Sequence, residues 1–274
     1  VVAVSRQREL ARRVRRASRI AARRAAWTLP RSSFPPVGSA PGPVGPALLW
    51  HECVPIDRVD PHAEPVFEEG KRRNVALAAP AFDGVLLEPG VPFSFWRALG
   101  RPRRALGYRY GMELRGGCVV PSLGGGLCLV SNALFRMAAH LGWDVVERHG
   151  HTLEAVPSSD EPWGLDATIA WPDIDLRFAV PAGDPAASLD VRVEAGALVI
   201  RAWSEALVER AVELRAVDDA VTGAGRRNRI ERRIDQGSWT TIAVNAKQLL
   251  TPADLGRSCL TCGLDGCAGR VEIR

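Results

Sequence analysis

No stretch of about 18 apolar residues occurs in the 274-residue chain, so no membrane-crossing helix is expected from it. The amino end lacks the apolar core of about 7–15 residues that a secretory signal needs, and none is expected there. Cysteine is scarce. Six in a chain of this length are too few for a disulfide scaffold. Lysine is nearly missing, with only Lys71 and Lys247, and arginine carries the positive charge. That bias reflects GC-rich coding more than function. No internal repeat is visible, which excludes solenoid and propeller architectures. Together these absences point to a cytoplasmic protein with reduced thiols.

What is present is unevenly distributed. A hydrophobic fraction of 46% supports a packed core. Residues 1–30 hold nine arginines and one acid, Glu9, a balance of +8 in a chain whose total is +5, which leaves −3 for the remainder. The spacing of Leu10, Val14, Ile20 and Trp27 predicts a basic amphipathic helix over residues 5–27 of a segment 1–29. Such a helix can rest on the anionic inner face of a membrane, or it can lie solvated against the domain. No nucleic-acid partner is expected. Residues 30–46, rich in proline and glycine, read as a linker.

Residues 47–185 read as the core unit. It begins with a strand at Ala47–Cys53, a helix at Lys71–Ala79 and the aromatic cluster Phe93–Trp96, followed by a hairpin-like segment at Met112–Val120 that ends at Pro121. Further strands are expected at Trp143–Glu147, Ala167–Ala170 and Ile174–Phe178. Residues 186–255 read as mostly β, with a hairpin turning at Ala195-Gly196. Residues 256–274 form a cysteine-rich tail. The expected class is α+β: a mixed or antiparallel sheet with one central helix.

That helix carries the chemistry. Gly124-Gly125-Gly126-Leu127-Cys128 runs directly into Val130, Leu134, Met137, Ala138 and Leu141, which are apolar at helical spacing, and Gly142 marks the stop. Cys128 therefore sits at a helix start, where unpaired N–H groups and the helix dipole favour an anion. A thiol there loses its proton more readily, and the thiolate is the nucleophile. The three glycines leave room for a substrate backbone beside the sulfur. Downstream lie His149, His151 and Asp166, the chain order of papain-type thiol sites: nucleophile, base, orienting residue. The two histidines share a face if the strand continues through them and diverge if Gly150 breaks it. Arg148 beside them can hold a carboxylate or phosphate. Two further readings remain: a binding module without chemistry, and a buried, inert Cys128 in a packed turn.

Cys259-x-x-Cys262 followed by Cys267 reads as three thiolate ligands of one metal. Zinc needs a fourth, for which Cys53 comes first, with His51 or Cys118 behind it. An iron–sulfur cluster uses the same ligands.

The motifs Pro89–Phe95 (Pro-Gly-Val-Pro-Phe-Ser-Phe), Gly124–Cys128, Glu147–His151, Gly164–Thr168 and Asp173–Leu176, read together over residues about 70 to 180, resemble the VanW family. The chain departs from the family pattern at Leu129, where many members have glutamine. The resemblance implies a link to glycopeptide resistance and the cell envelope, with a cell-wall precursor or other peptide-like molecule as partner. It implies no established activity.

Overall fold

The chain is described from a computed structural model covering residues 14, 15, 17–23, 25, 43–57, 64–115, 117–154, 162–223, 225–250, 258–263 and 267. Much of the expected amphipathic helix, most of the linker and parts of the cysteine tail lie outside the described residues. The fold is α+β, with mainly antiparallel sheets around one buried helix.

The first sheet joins β1 (Ala47–Pro55), β10 (Ala197–Ser204), β9 (Ala187–Glu194) and β2 (Leu86–Leu87), in that order. It therefore draws strands from both sides of position 185. β9 and β10 form the expected hairpin, turning at Ala195 (φ 47°) and Gly196 (φ 80°). Helix α1 (Pro65–Ala78) begins earlier than the apolar spacing suggests, because Pro65 occupies the first turn, where its missing N–H breaks no hydrogen bond. β3 (Phe93–Ser94) leads into the short helix α2 (Phe95–Leu99), whose N-cap is the Ser94 hydroxyl. The aromatic cluster is core packing: Phe93, Phe95 and Trp96 are buried, and Phe93 stacks on Phe178 at 4.6 Å.

β4 (Tyr110–Arg115) and β5 (Cys118–Leu123) form a two-stranded hairpin that continues past Pro121. Helix α3 (Cys128–His140) follows directly and is the centre of the core. Val130, Leu134, Phe135, Met137 and Ala138 are fully buried, and the helix touches β1, β6 (Asp144–Glu147), β10 and β11 (Val212–Thr222). Each large side chain so buried contributes about 1.5–3 kcal/mol. β6 pairs with β8 (Arg177–Ala179), and β8 with β3.

Beyond α3 the sequence expectation needs one correction. Residues 165–169 form no strand, because their backbone groups bond to α3 side chains and to a neighbouring loop rather than to a ladder. Only a bridge at Ala170–Ile174 and the short β8 remain of the two expected strands. The last sheet is a meander of β11, β12 (Gly225–Ile234) and β13 (Thr240–Leu249), extended by the parallel β7 (Leu153–Glu154).

At the amino end, the described part of the helix docks on the domain through Arg23. Its guanidinium binds Glu147 at 2.6 and 2.9 Å and the carbonyls of Pro172 and Asp173 at 3.1 and 2.9 Å. No helix among the described residues is long and apolar enough to cross a membrane.

Candidate active site

Cys128 opens α3, and no side chain caps that helix start. The N–H groups of Leu129 and Val130 bond to Gly126 and Leu127, whereas the Cys128 N–H has no acceptor among the described residues. The preceding loop is held from the far side by Asn74 of α1. Its amide donates to the Arg109 and Gly125 carbonyls at 3.0 and 2.9 Å, and its oxygen accepts from Arg109 N–H at 2.8 Å. Close approach explains the glycines. A Cβ on Gly125 would lie 2.5 Å from the Gly111 carbonyl carbon, and one on Gly126 would lie 2.5 Å from the Lys71 side chain. Gly124 turns at φ 81° against Pro102. In the direction a Cβ would take, these three positions pack against the protein's own β4, α1 and Pro102.

The opposite wall is the segment 148–151 together with 164–168. β6 ends at Glu147, so no strand passes through the histidines, and they diverge around Gly150. His151 Nδ1 lies 2.5 Å from Asp166 Oδ2, and its backbone N–H donates to the same oxygen at 2.9 Å. The His151 side chain interacts electrostatically with the Cys128 thiol. Thr168 Oγ1 stands 4.0 Å from Cys128 Sγ. Two α3 residues tie this wall to the helix. Ser131 donates to the Ala167 carbonyl at 2.6 Å, and Asn132 accepts from Ala167 N–H at 2.9 Å. Cys128, His151 and Asp166 thus form one connected chain. His149 stands apart, half exposed, 3.7 Å from Glu147.

Arg148, expected to face a bound anion, faces protein instead. Its side chain is 2% exposed and donates to the carbonyls of Asp166, Gly164 and Val244 and to Asn245 Oδ1. Its guanidinium also lies 5.2 Å from the Phe135 ring centroid. Arg148 holds the loop's backbone rather than a ligand.

The third contribution comes from β13 and went unnoticed in the sequence. Lys247 Nζ lies 2.9 Å from Asp166 Oδ1 and 3.8 Å from Glu154 Oε2. Asn245 bridges Arg148 and Asn228, and Asn228 donates to the Trp163 carbonyl at 2.8 Å. Gly164 (φ 99°) is required here, since a Cβ would lie 2.2 Å from Asn245 Nδ2. A faint signal existed: Asn228, Asn245 and Lys247 are polar at inward-facing positions of alternating strands.

These neighbours set the protonation states. Burial pushes the Cys128 thiol up, but the hydrogen bond and charge of His151, the Ile169 backbone and the Thr168 hydroxyl outweigh it and bring the thiol below its ordinary value. Burial disfavours the His151 cation, but hydrogen bonds and charge from Asp166 and Cys128 raise its pKa to about 10. Asp166, despite burial, is held well below the usual carboxylate range by His151, then Lys247 and Arg148. The site favours a thiolate–imidazolium pair.

The tail cysteines lie elsewhere. Ser258 bridges Val119 of β5, and Cys259 N–H donates to the Val119 carbonyl at 2.9 Å. The tail turn therefore docks beside Cys118. Cys53, the expected fourth ligand, is exposed on β1 opposite Val199. Among the described residues, no three His, Cys, Asp or Glu side chains gather closely enough to hold a metal ion.

The family described as "VanW like protein" matches residues 70–203. The "Vancomycin B-type resistance protein VanW" of Enterococcus faecalis (strain ATCC 700802 / V583) is 36% identical over 136 residues, covering 48% of this chain and 50% of that protein. The "Uncharacterized protein YoaR" of Bacillus subtilis (strain 168) is 34% identical over 110 residues, covering 40% of this chain and 35% of that protein. The chain thus spans half or less of the length of these relatives. No solved structure matches.

Proposed function

The chain belongs to the VanW-like family through residues 70–203, and from that premise we propose that it is a thiol hydrolase or transpeptidase acting on peptide-like cell-wall precursors. The observation that carries this reading is the chain Cys128–His151–Asp166, with the cysteine on an uncapped helix start. The Cys128 thiolate attacks a peptide carbonyl, and the C–S bond forms as the carbonyl π pair moves to oxygen. The Cys128 N–H faces the developing oxyanion as a preorganised donor. The His151 imidazolium gives its proton to the leaving amine as the C–N bond breaks, leaving a thioester on Cys128. Neutral His151 then takes a proton from the incoming water or amine, which expels the thiolate. Asp166 holds Nδ1, so that the other ring nitrogen faces sulfur. The name of the Enterococcus relative supports placing this activity in glycopeptide resistance.

The test is to incubate the full chain with synthetic cell-wall stem peptides and read products and intact protein mass. Cleavage or amide exchange is expected, with an acyl adduct on Cys128. Cys128→Ala should abolish both, and His151→Ala should slow turnover by about 10²–10⁴. A Cys128 that forms no adduct and alkylates no faster than a free thiol would sink the proposal. Peptide binding that is unchanged in Cys128→Ala, without turnover, would make the chain a binding module instead.

A further inference from the structure

We infer that Lys247, on the last strand of the C-terminal meander, is a positioning residue of the thiol site: it fixes the carboxylate of Asp166 so that Asp166 can hold His151. This rests on the reading of Cys128 as a nucleophile. It adds that the site draws a required side chain from β13, beyond residue 203, where the family match ends.

Lys247 is one of two lysines in the chain, and its side chain is 4% exposed. A buried ammonium is costly unless it is paired and hydrogen-bonded. Its closest partner is Asp166 Oδ1 at 2.9 Å, while Glu154 Oε2 stands at 3.8 Å. The Trp163 ring covers the ammonium at 4.7 Å and is itself anchored by its indole N–H on Glu154 at 3.0 Å. Asp166 divides its two oxygens between tasks. Oδ2 takes the backbone N–H and the ring Nδ1 of His151, and Oδ1 takes Lys247 and, at 3.3 Å, Arg148. Arg148 has four other acceptors, the carbonyls of Asp166, Gly164 and Val244 and the Asn245 side chain, so Lys247 is the closer and more dedicated cation on Oδ1. Rotation of the carboxylate about its last bond would break the contacts at both oxygens at once.

The charges also balance. In the active form the Cys128 thiolate, Asp166 and Glu154 carry three negative charges, and His151, Arg148 and Lys247 carry three positive ones. Removing Lys247 leaves a net negative cluster in a poorly solvated place. The thiolate is then the charge most easily relieved, because it can take up a proton. A merely structural lysine would change stability without changing that protonation.

The experiment is the pH dependence of Cys128 alkylation by iodoacetamide in the full chain, read by mass spectrometry, with melting temperatures alongside. Lys247→Met keeps the stem and removes the charge. It should move the acid limb of the profile up by about one pH unit, a roughly tenfold rate loss on that limb. Lys247→Arg should restore the parent profile to within about threefold. If Lys247→Met folds poorly, Lys247→Gln keeps an N–H donor and should show a smaller shift in the same direction. A folded Met or Gln variant with the parent's acid limb overturns the inference, even if its melting temperature falls. If Cys128 of the parent itself reacts only as a free thiol, the nucleophile reading has failed, and this inference with it.

Discussion

The two walls of the site are built from different materials. The Cys128 wall is mainly apolar: α3 is sunk in fully buried Val130, Leu134, Phe135 and Met137, and its loop is set by the backbone contact of Gly125 on Gly111 together with the Asn74 amide. The His151 wall is polar: Arg148, Asp166, Asn228, Asn245 and Lys247 are buried in one hydrogen-bonded network. Packing is non-directional and fixes where a helix lies. Hydrogen bonds and charges are directional and fix where one ring nitrogen points. Cys128 is therefore positioned mainly by volume and His151 by electrostatics, and damage to the two walls should read differently.

The largest effect is expected from Asp166→Ala. It leaves Arg148 and Lys247 buried without their carboxylate, a loss of about 3–5 kcal/mol. Urea unfolding should show the loss, and alkylation of whatever remains folded should revert toward a free-thiol profile. Leu134→Ala should cost about 2–5 kcal/mol through the cavity it leaves. The surviving native Cys128 should nevertheless alkylate with the parent's pH profile. A displaced profile in that variant would blur the distinction between the walls.

The pH dependence sharpens the comparison further. The His151 pKa is raised from an unfolded value near 6.5 to about 10. Its contribution to stability is fully present below about pH 6.5 and is lost as pH rises through about 10. The stability gap between the parent and His151→Gln should accordingly narrow from neutrality toward pH 10. A gap that stays constant over that range would contradict the ion pair. The smallest effect belongs to His149→Ala, whose side chain is 51% exposed and lies 3.7 Å from Glu147. Alkylation rate and stability should change by less than about twofold and about 0.5 kcal/mol respectively. The same substitution at His151 should abolish the enhanced reactivity.

Where the sequence could be read and where it could not follows the same division. The start of α3 at Cys128 was legible, because a glycine run and a helical apolar period are local signals. So was the β9–β10 hairpin, whose Ala195-Gly196 turn announces itself in neighbouring residues. The choice between His149 and His151 was not, because it turns on β6 stopping at Glu147, and that is set by its pairing with β8. The spacing puts Cys53 of β1 first as partner of the tail thiols, with His51 or Cys118 behind it, and the turn at Cys259 and Cys262 docks on β5 beside Cys118. Cysteine spacing says which thiols are near each other in the chain and nothing about which strand they meet.

By itself the sequence determined an α+β chain with a thiol at a helix start and the downstream order of histidine and aspartate. Those features follow from short-range periodicity, turn chemistry and composition. Only the tertiary structure decided that His151 and not His149 meets Asp166, that Arg148 is held by backbone carbonyls and Asn245, and that Lys247 and Asn245 join the site from β13. Each of these contacts links residues far apart in the chain, and burial alone makes them matter. Away from water an unpaired charge is costly, so the fold had to bring Asp166, Arg148 and Lys247 together before any of them could be buried.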